Sequence, residues 1–262
     1  MMDARLHNVL RSEPLDPPHV GTIDARRQLH GGTIKGPVVM TILTHEDLLD
    51  MNSIQNRERT IVEFGAGSGL VSFFAAAIST NPRRRILSIE KVRRRVDRMR
   101  RWAASMRENG AGVRPPTILH GDYTIVREED PLFVPHLTAA IDVTPPLMYV
   151  NNANQCIANT ERNNGISIQS LLEQRLADCP LGSVIVSLDR LFIGNLYWHE
   201  EAYTSRVKRR DVSWMAGTAD DEKVEDFPIF RYIKKAEAEE GGVGGRRRRH
   251  PIFQQLSENP VH

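Results

Sequence analysis

From Thr60 onward, short apolar runs alternate with longer stretches in which apolar residues recur every three or four positions. Ile61–Phe64, Arg85–Ile89, Thr117–Leu119, Leu147–Val150 and Ser183–Ser187 have the length and character of buried strands. Between them, Leu70–Thr80 reads as an apolar helix. Val92, Val96, Met99, Trp102, Ala103 and Met106 then mark one face of an amphipathic helix that Asn109–Gly112 stops. A further helix is expected over Ile168–Leu176. Strand–helix alternation of this kind builds a parallel sheet with crossover helices. Arg206–Met215 and Ile229–Lys235 are expected to close the sheet as two strands flanking an acidic loop, Asp220–Asp226. Ahead of Thr60 the pattern is weaker: a polar, proline-bearing arm over 1–20, then a small helical subdomain over 21–59 with one helix after Pro37, across Val38–Leu49. The main domain spans 60–236. The last stretch, 237–262, is glycine- and arginine-rich and has too little apolar surface to fold.

The first strand runs into Thr60–Gly69, TIVEFGAGSG, which ends at the start of the apolar helix. Glycines there let the backbone turn sharply and approach a ligand, and the helix start offers free N–H groups to a negative one. A dinucleotide fingerprint would read G-x-G-x-x-G and seat a pyrophosphate. Here the spacing is tighter, and Glu63 stands two places before the first glycine. That variant suits a cofactor that carries an ammonium and no pyrophosphate, such as S-adenosylmethionine; the alternative is a glycine-rich turn with no ligand. Ligands of open α/β sheets lie outside the carboxyl ends of the strands. The expected strand ends carry Glu63, then Glu90 to accept ribose hydroxyls, then Asp122 and Tyr123 for the amine and ring of an adenine, then Asn151 and Asn152. Acceptors on consecutive strand ends favour an adenosyl cofactor.

Bulk properties change the picture at one point. The 262 residues carry a net charge of only +2, yet Asn81–Arg101 is dense in arginine with Glu90 and Asp97 as its only acids, and Arg246–Arg249 adds a second cluster. Such asymmetry points to an anionic partner, with nucleic acid first and a solvated helix face as the alternative. Two cysteines make a disulfide framework unexpected. Met1–Arg11 lacks the apolar run of a secretory leader, and the run around Leu70–Ile78 is too short to span a bilayer. No H-E-x-x-H spacing suggests a metal.

The series VEFGAGSG, SIEK, HGDY, YVNN and VSW resembles the Dot-one (disruptor of telomeric silencing) family, from about Leu29 to Tyr232. Its members are histone lysine methyltransferases without a SET domain, built on the class I methyltransferase fold. The resemblance implies S-adenosylmethionine as cofactor, S-adenosylhomocysteine as product, and a lysine on the globular face of nucleosomal histone H3 as acceptor, in the nucleus. It implies further that Glu63, Gly65, Ala66, Gly67 and Gly69 form the cofactor turn, that Glu90 binds ribose, and that Asp122 and Tyr123 bind adenine. Gly31, Gly32 and Thr33 match a loop over the methionine part, Asn151 lies beside the transferred methyl, and Trp214 and Tyr232 line a lysine channel. Ala153, Asn154 and Gln155 stand where the family has aromatics, Leu70 where a polar residue is common, and Gly32 where an acid is common. The Arg-rich segments would contact nucleosomal DNA phosphates. Transfer to RNA or a small molecule, or a catalytically silent binding module, are the other readings of the same residues.

Overall fold

The computed structural model describes residues 34–109, 113–123, 125, 130–134, 144–150, 161–162, 166–177, 179–191, 197–212, 220 and 222–236. A helix, α1 (Gly36–Thr44), precedes β1 (Ile61–Phe64), α2 (Leu70–Ile78), β2 (Ile86–Glu90), α3 (Arg93–Asn109), β3 (Thr117–His120) and β4 (Leu147–Val150). Then come a small antiparallel pair, β5 (Glu161–Arg162) and β6 (Ile166–Ser167), followed by α4 (Ile168–Leu176), β7 (Val184–Ser187), β8 (Trp198–Lys208) and β9 (Val224–Lys234).

The main sheet has seven strands in the order β3-β2-β1-β4-β7-β9-β8. All neighbours pair in parallel except β9, which runs antiparallel to both β7 and β8. The chain winds outward from β1 to β3, then returns to the other side of β1 at β4. That reversal opens a crevice at the carboxyl ends of β1 and β4. This doubly wound sheet with one reversed strand next to the end is the class I methyltransferase fold expected from the sequence.

Alternating residues of the inner strands enter two apolar layers. Ile61, Ile86, Leu147, Tyr149, Val184 and Val186 pack with α1, α2 and α3. Val62, Phe64, Leu87, Ile89, Met148, Val150 and Ile185 pack with Leu172 and Leu176 of α4. Both faces of β1 are covered, which is why its four residues are all buried and show no polar alternation. α1 starts with Pro37 in its first turn and buries Val38, Val39, Ile42 and Leu43 in the layer that holds α2. Among the described residues no helix is long and apolar enough to cross a membrane.

Three expectations change. The first closing strand is Trp198–Lys208, not Arg206–Met215; Arg209–Asp211 is a turn of 3-10 helix. That strand reads WHEEAYTSRVK, and only Trp198, Ser205 and Val207 along it are buried. As the sheet edge, with little of its side-chain surface covered, it lacks the apolar run by which inner strands are recognised. The second closing strand begins at Val224, so it absorbs the last three residues of the expected acidic loop. The helix after Pro37 ends at Thr44, short of Leu49.

Two arginines tie down the amino edge of the sheet. Arg59 donates to the carbonyls of Pro145 (2.5 Å), Pro146 (3.2 Å) and Gly182 (2.6 Å), joining the approaches to β1, β4 and β7. Arg84, 3% exposed, donates to the carbonyls of Met51 (2.5 Å), Asn56 (2.8 Å) and Arg57 (3.0 Å). Burial lowers the pKa of each to about 10, so both stay charged at neutral pH. Replacing Arg84 with Ala takes the donor from the buried Met51 carbonyl and empties a buried side-chain site, while the Asn56 and Arg57 carbonyls keep the Arg59 N–H and the Asn81 amide. It should lower the unfolding free energy by about 3 kcal/mol, read from the urea midpoint.

Candidate functional site

The glycine turn after β1 is built on left-handed backbone. Gly65, Gly67 and Gly69 have φ of 63°, 60° and 75°. A Cβ at Gly69 would lie 2.6 Å from Met99 Sδ of α3, so a side chain there would have to displace that methionine as well as adopt a left-handed backbone. At Gly67 a Cβ would meet nothing nearer than the Gly65 carbonyl at 4.0 Å. The space over that turn is open, and a glycine there leaves it to a ligand. The Ala66 N–H is tied to the Ile89 carbonyl (3.0 Å), which holds the turn against the end of β2.

Glu63 is 3% exposed and lies beneath the first turn of α2. Its Oε2 accepts from the backbone N–H (3.0 Å) and the hydroxyl (2.5 Å) of Ser72. Burial pushes the Glu63 pKa up from 4.5 to about 7; the Ser72 bonds and the Val71 N–H oppose that shift, and Glu90 adds to it. A cation arriving above the turn would favour its charged form.

Glu90, also 3% exposed, ends β2. Its Oε2 accepts from the Gly67 N–H (2.7 Å) and its Oε1 from the Val92 N–H (2.8 Å). A carboxylate has about four lone-pair sites. Two are used, leaving one on each oxygen for a pair of hydroxyl donors. β3 leads into Asp122, 4% exposed, whose Oδ2 stands 3.9 Å from Lys91 Nζ. The half-buried Tyr123 ring packs edge-on against Phe64 (5.2 Å) and lies 3.6 Å from a Cβ built on Gly65. The backbone N–H of Gly121 donates to the Glu90 carbonyl (3.1 Å), so the ends of β2 and β3 are joined directly.

Glu63, Gly65, Ala66, Gly67, Gly69, Glu90, Asp122 and Tyr123 are thus gathered along one edge of the sheet. Tyr232 is placed differently. It sits near the end of β9, opposite Ile185, with no exposed surface. Its hydroxyl accepts from the Leu191 N–H (2.9 Å) and donates to Glu200 Oε2 (3.0 Å), and Glu200 also pairs with Arg190 (3.0 Å). The ring packs in the apolar layer that holds Leu172 and Leu176. Gly31, Gly32, Thr33, Asn151, Asn152 and Trp214 lie outside the described residues, as do Arg246–Arg249. Two of those stretches have neighbouring flanks: Ile34 pairs with Val212, and the Lys35 N–H donates to the Asp211 carbonyl (2.8 Å). Sequence reasoning missed Ser72. Its signal was a hydroxyl residue in the first turn of a helix that follows a buried acid.

No family model matches the chain, and no curated protein matches it. Among solved structures it is similar to an O-methyltransferase from Bacillus cereus in complex with SAH (13% identity over 88% of this chain and 91% of that one, TM-score 0.45). It is also similar to precorrin-6y C5,15-methyltransferase from Geobacter metallireducens (16%, 86% and 96%, 0.41) and to TrmN from Thermus thermophilus (14%, 76% and 48%, 0.43). The fold stated above rests on strand order and direction.

A buried acid with a raised pKa makes stability depend on pH. The folded protein holds the Glu63 proton more tightly than the unfolded chain, so this contribution is full below pH 4.5 and is lost as pH rises through 7. Urea unfolding of the unliganded wild type should weaken from pH 5 to pH 8 by up to about 3 kcal/mol more than unfolding of Glu63→Gln. Parallel pH profiles for the two proteins would contradict the placement of that carboxyl group.

Proposed function

We propose that the protein is an S-adenosylmethionine-dependent methyltransferase. The observation that carries this reading is the set of three buried carboxylates, Glu63, Glu90 and Asp122, around the open left-handed turn at Gly65–Gly69. The residues fit the cofactor. Glu63, with its ionisation held back by burial, is suited to an ammonium partner reached through the turn. Glu90 has acceptor capacity left for two ribose hydroxyls. Asp122 can accept from an adenine amine, and the Tyr123 ring offers a face for the base. When bound, the cofactor supplies a methyl group on a sulfonium for direct displacement by an acceptor. The protein's part is then to position and to exclude water, and direct displacement needs no covalent enzyme intermediate.

The acceptor divides two readings. The motif resemblance supports a lysine on nucleosomal histone H3, with Asn151 beside the transferred methyl, Trp214 as a wall and a nuclear setting. The burial of Tyr232 gives no support to its part as a wall of a lysine channel, and an RNA or small-molecule acceptor needs no such wall. We place RNA or a small molecule ahead.

Calorimetry with S-adenosylhomocysteine should show one site. Glu90→Ala should weaken it by about ten- to a hundredfold, the loss of hydrogen bonds to a charged acceptor. Binding unchanged in that variant would end the cofactor assignment. Incubation with labelled S-adenosylmethionine and, separately, RNA, nucleosomes and free histones reads the acceptor: label on RNA supports the favoured reading, label on H3 alone restores the lysine reading. Asn151→Ala should abolish transfer to whichever acceptor is labelled.

A further inference from the structure

α3 carries seven arginines, no lysine, and the acids Asp97 and Glu108. Its inner face, Val96, Met99, Trp102, Ala103 and Met106, is buried. The outer face is ordered. Arg93, Arg100 and Arg107 are exposed and recur every seven residues, so they fall on one line that drifts only ~20° per step. That line is about 21 Å long. Arg94 and Arg101, also exposed, form a second line about 100° around the helix. Between the two lines lie Asp97, Ala104 and Glu108. Arg93 Nε stands 3.2 Å from Asp97 Oδ1. Acceptors and a small residue therefore run down the middle of the exposed face, with guanidinium rows on both flanks.

We propose that this face of α3 docks double-stranded RNA across its minor groove, which makes RNA the class of acceptor. The inference rests on the methyltransferase reading for that last step only. Two cationic rows match two phosphate strands, and guanidinium is suited to phosphate. The middle row faces the groove floor, where A-form RNA displays 2′-hydroxyl donors to carboxylate acceptors. A wide, shallow groove also suits a helix packed along its length on a sheet. The major groove of B-DNA is about 8.5 Å deep and asks a helix to insert. The helix begins three residues after Glu90, so bound RNA would lie beside the strand ends that hold the cofactor.

The test is fluorescence anisotropy on the full chain without cofactor, using an RNA duplex of about 20 base pairs, a DNA duplex of the same sequence and the single RNA strand, over a salt series. The RNA duplex should bind at least tenfold tighter than the other two. The pairs Arg100→Gln with Arg107→Gln, and Arg94→Gln with Arg101→Gln, should each lower the salt slope by roughly 1.5–2, the share of two phosphate contacts. Lysine at the same positions should restore the slope. Asp97→Ala should bring the RNA and DNA duplex affinities together. Equal or tighter binding of the DNA duplex, glutamine variants that bind as wild type, or binding that disappears only on deletion of 241–262 would each overturn the proposal. S-adenosylhomocysteine calorimetry on the same variants separates the two readings: intact cofactor binding without RNA binding overturns only the docking face, and the reverse overturns only the methyltransferase.

Discussion

A carboxylate held beneath a helix start is the constraint on which the rest depends. Glu63 lies under the first turn of α2 and takes both polar hydrogens of Ser72. A helix start leaves N–H groups unsatisfied, and an acid placed there satisfies some of them while favouring the positive end of the helix. Burial works against the charge and raises its pKa to about 7. The chain between Glu63 and α2 must then reverse within a few residues, and three left-handed glycines make that turn. The geometry that caps the helix is the same geometry that opens space above it.

The second carboxylate connects that turn to the sheet. Glu90 receives the Gly67 N–H from one side and the Val92 N–H from the other, so β1, the turn, β2 and the start of α3 form one hydrogen-bonded unit. Gly121 ties β3 to it. Glu90 is poised by backbone donors, not by flexible side chains, and a group held in that way loses little entropy when a ligand arrives. Further round the same helix, α3 gives one face to the core and the other to a patterned array of charge.

What could be read from the sequence follows from burial. β1, β2, β4 and β7 are covered on both faces, so their apolar runs are unmistakable, and the strand-end acids can be counted from them. α3 shows a clean period because one face is core and the other charged. β8 was misplaced because an edge strand such as WHEEAYTSRVK has few buried positions to mark it. Arg84 stands in the arginine-dense stretch Asn81–Arg101 and Arg59 just ahead of β1, yet both are internal ties whose partners are carbonyls distant in sequence, which no local pattern encodes. Tyr232 was assigned to a channel by resemblance, while its neighbours in the sheet give it a place in the core.

The most direct measurement is a crystal structure with S-adenosylhomocysteine bound. The two ribose hydroxyls should lie on the two oxygens of Glu90, the adenine amine at Asp122 with the ring against Tyr123, and the amino group above the Gly65–Gly67 turn on the Glu63 side. A ligand bound elsewhere, or these three acids left untouched by it, would contradict the account.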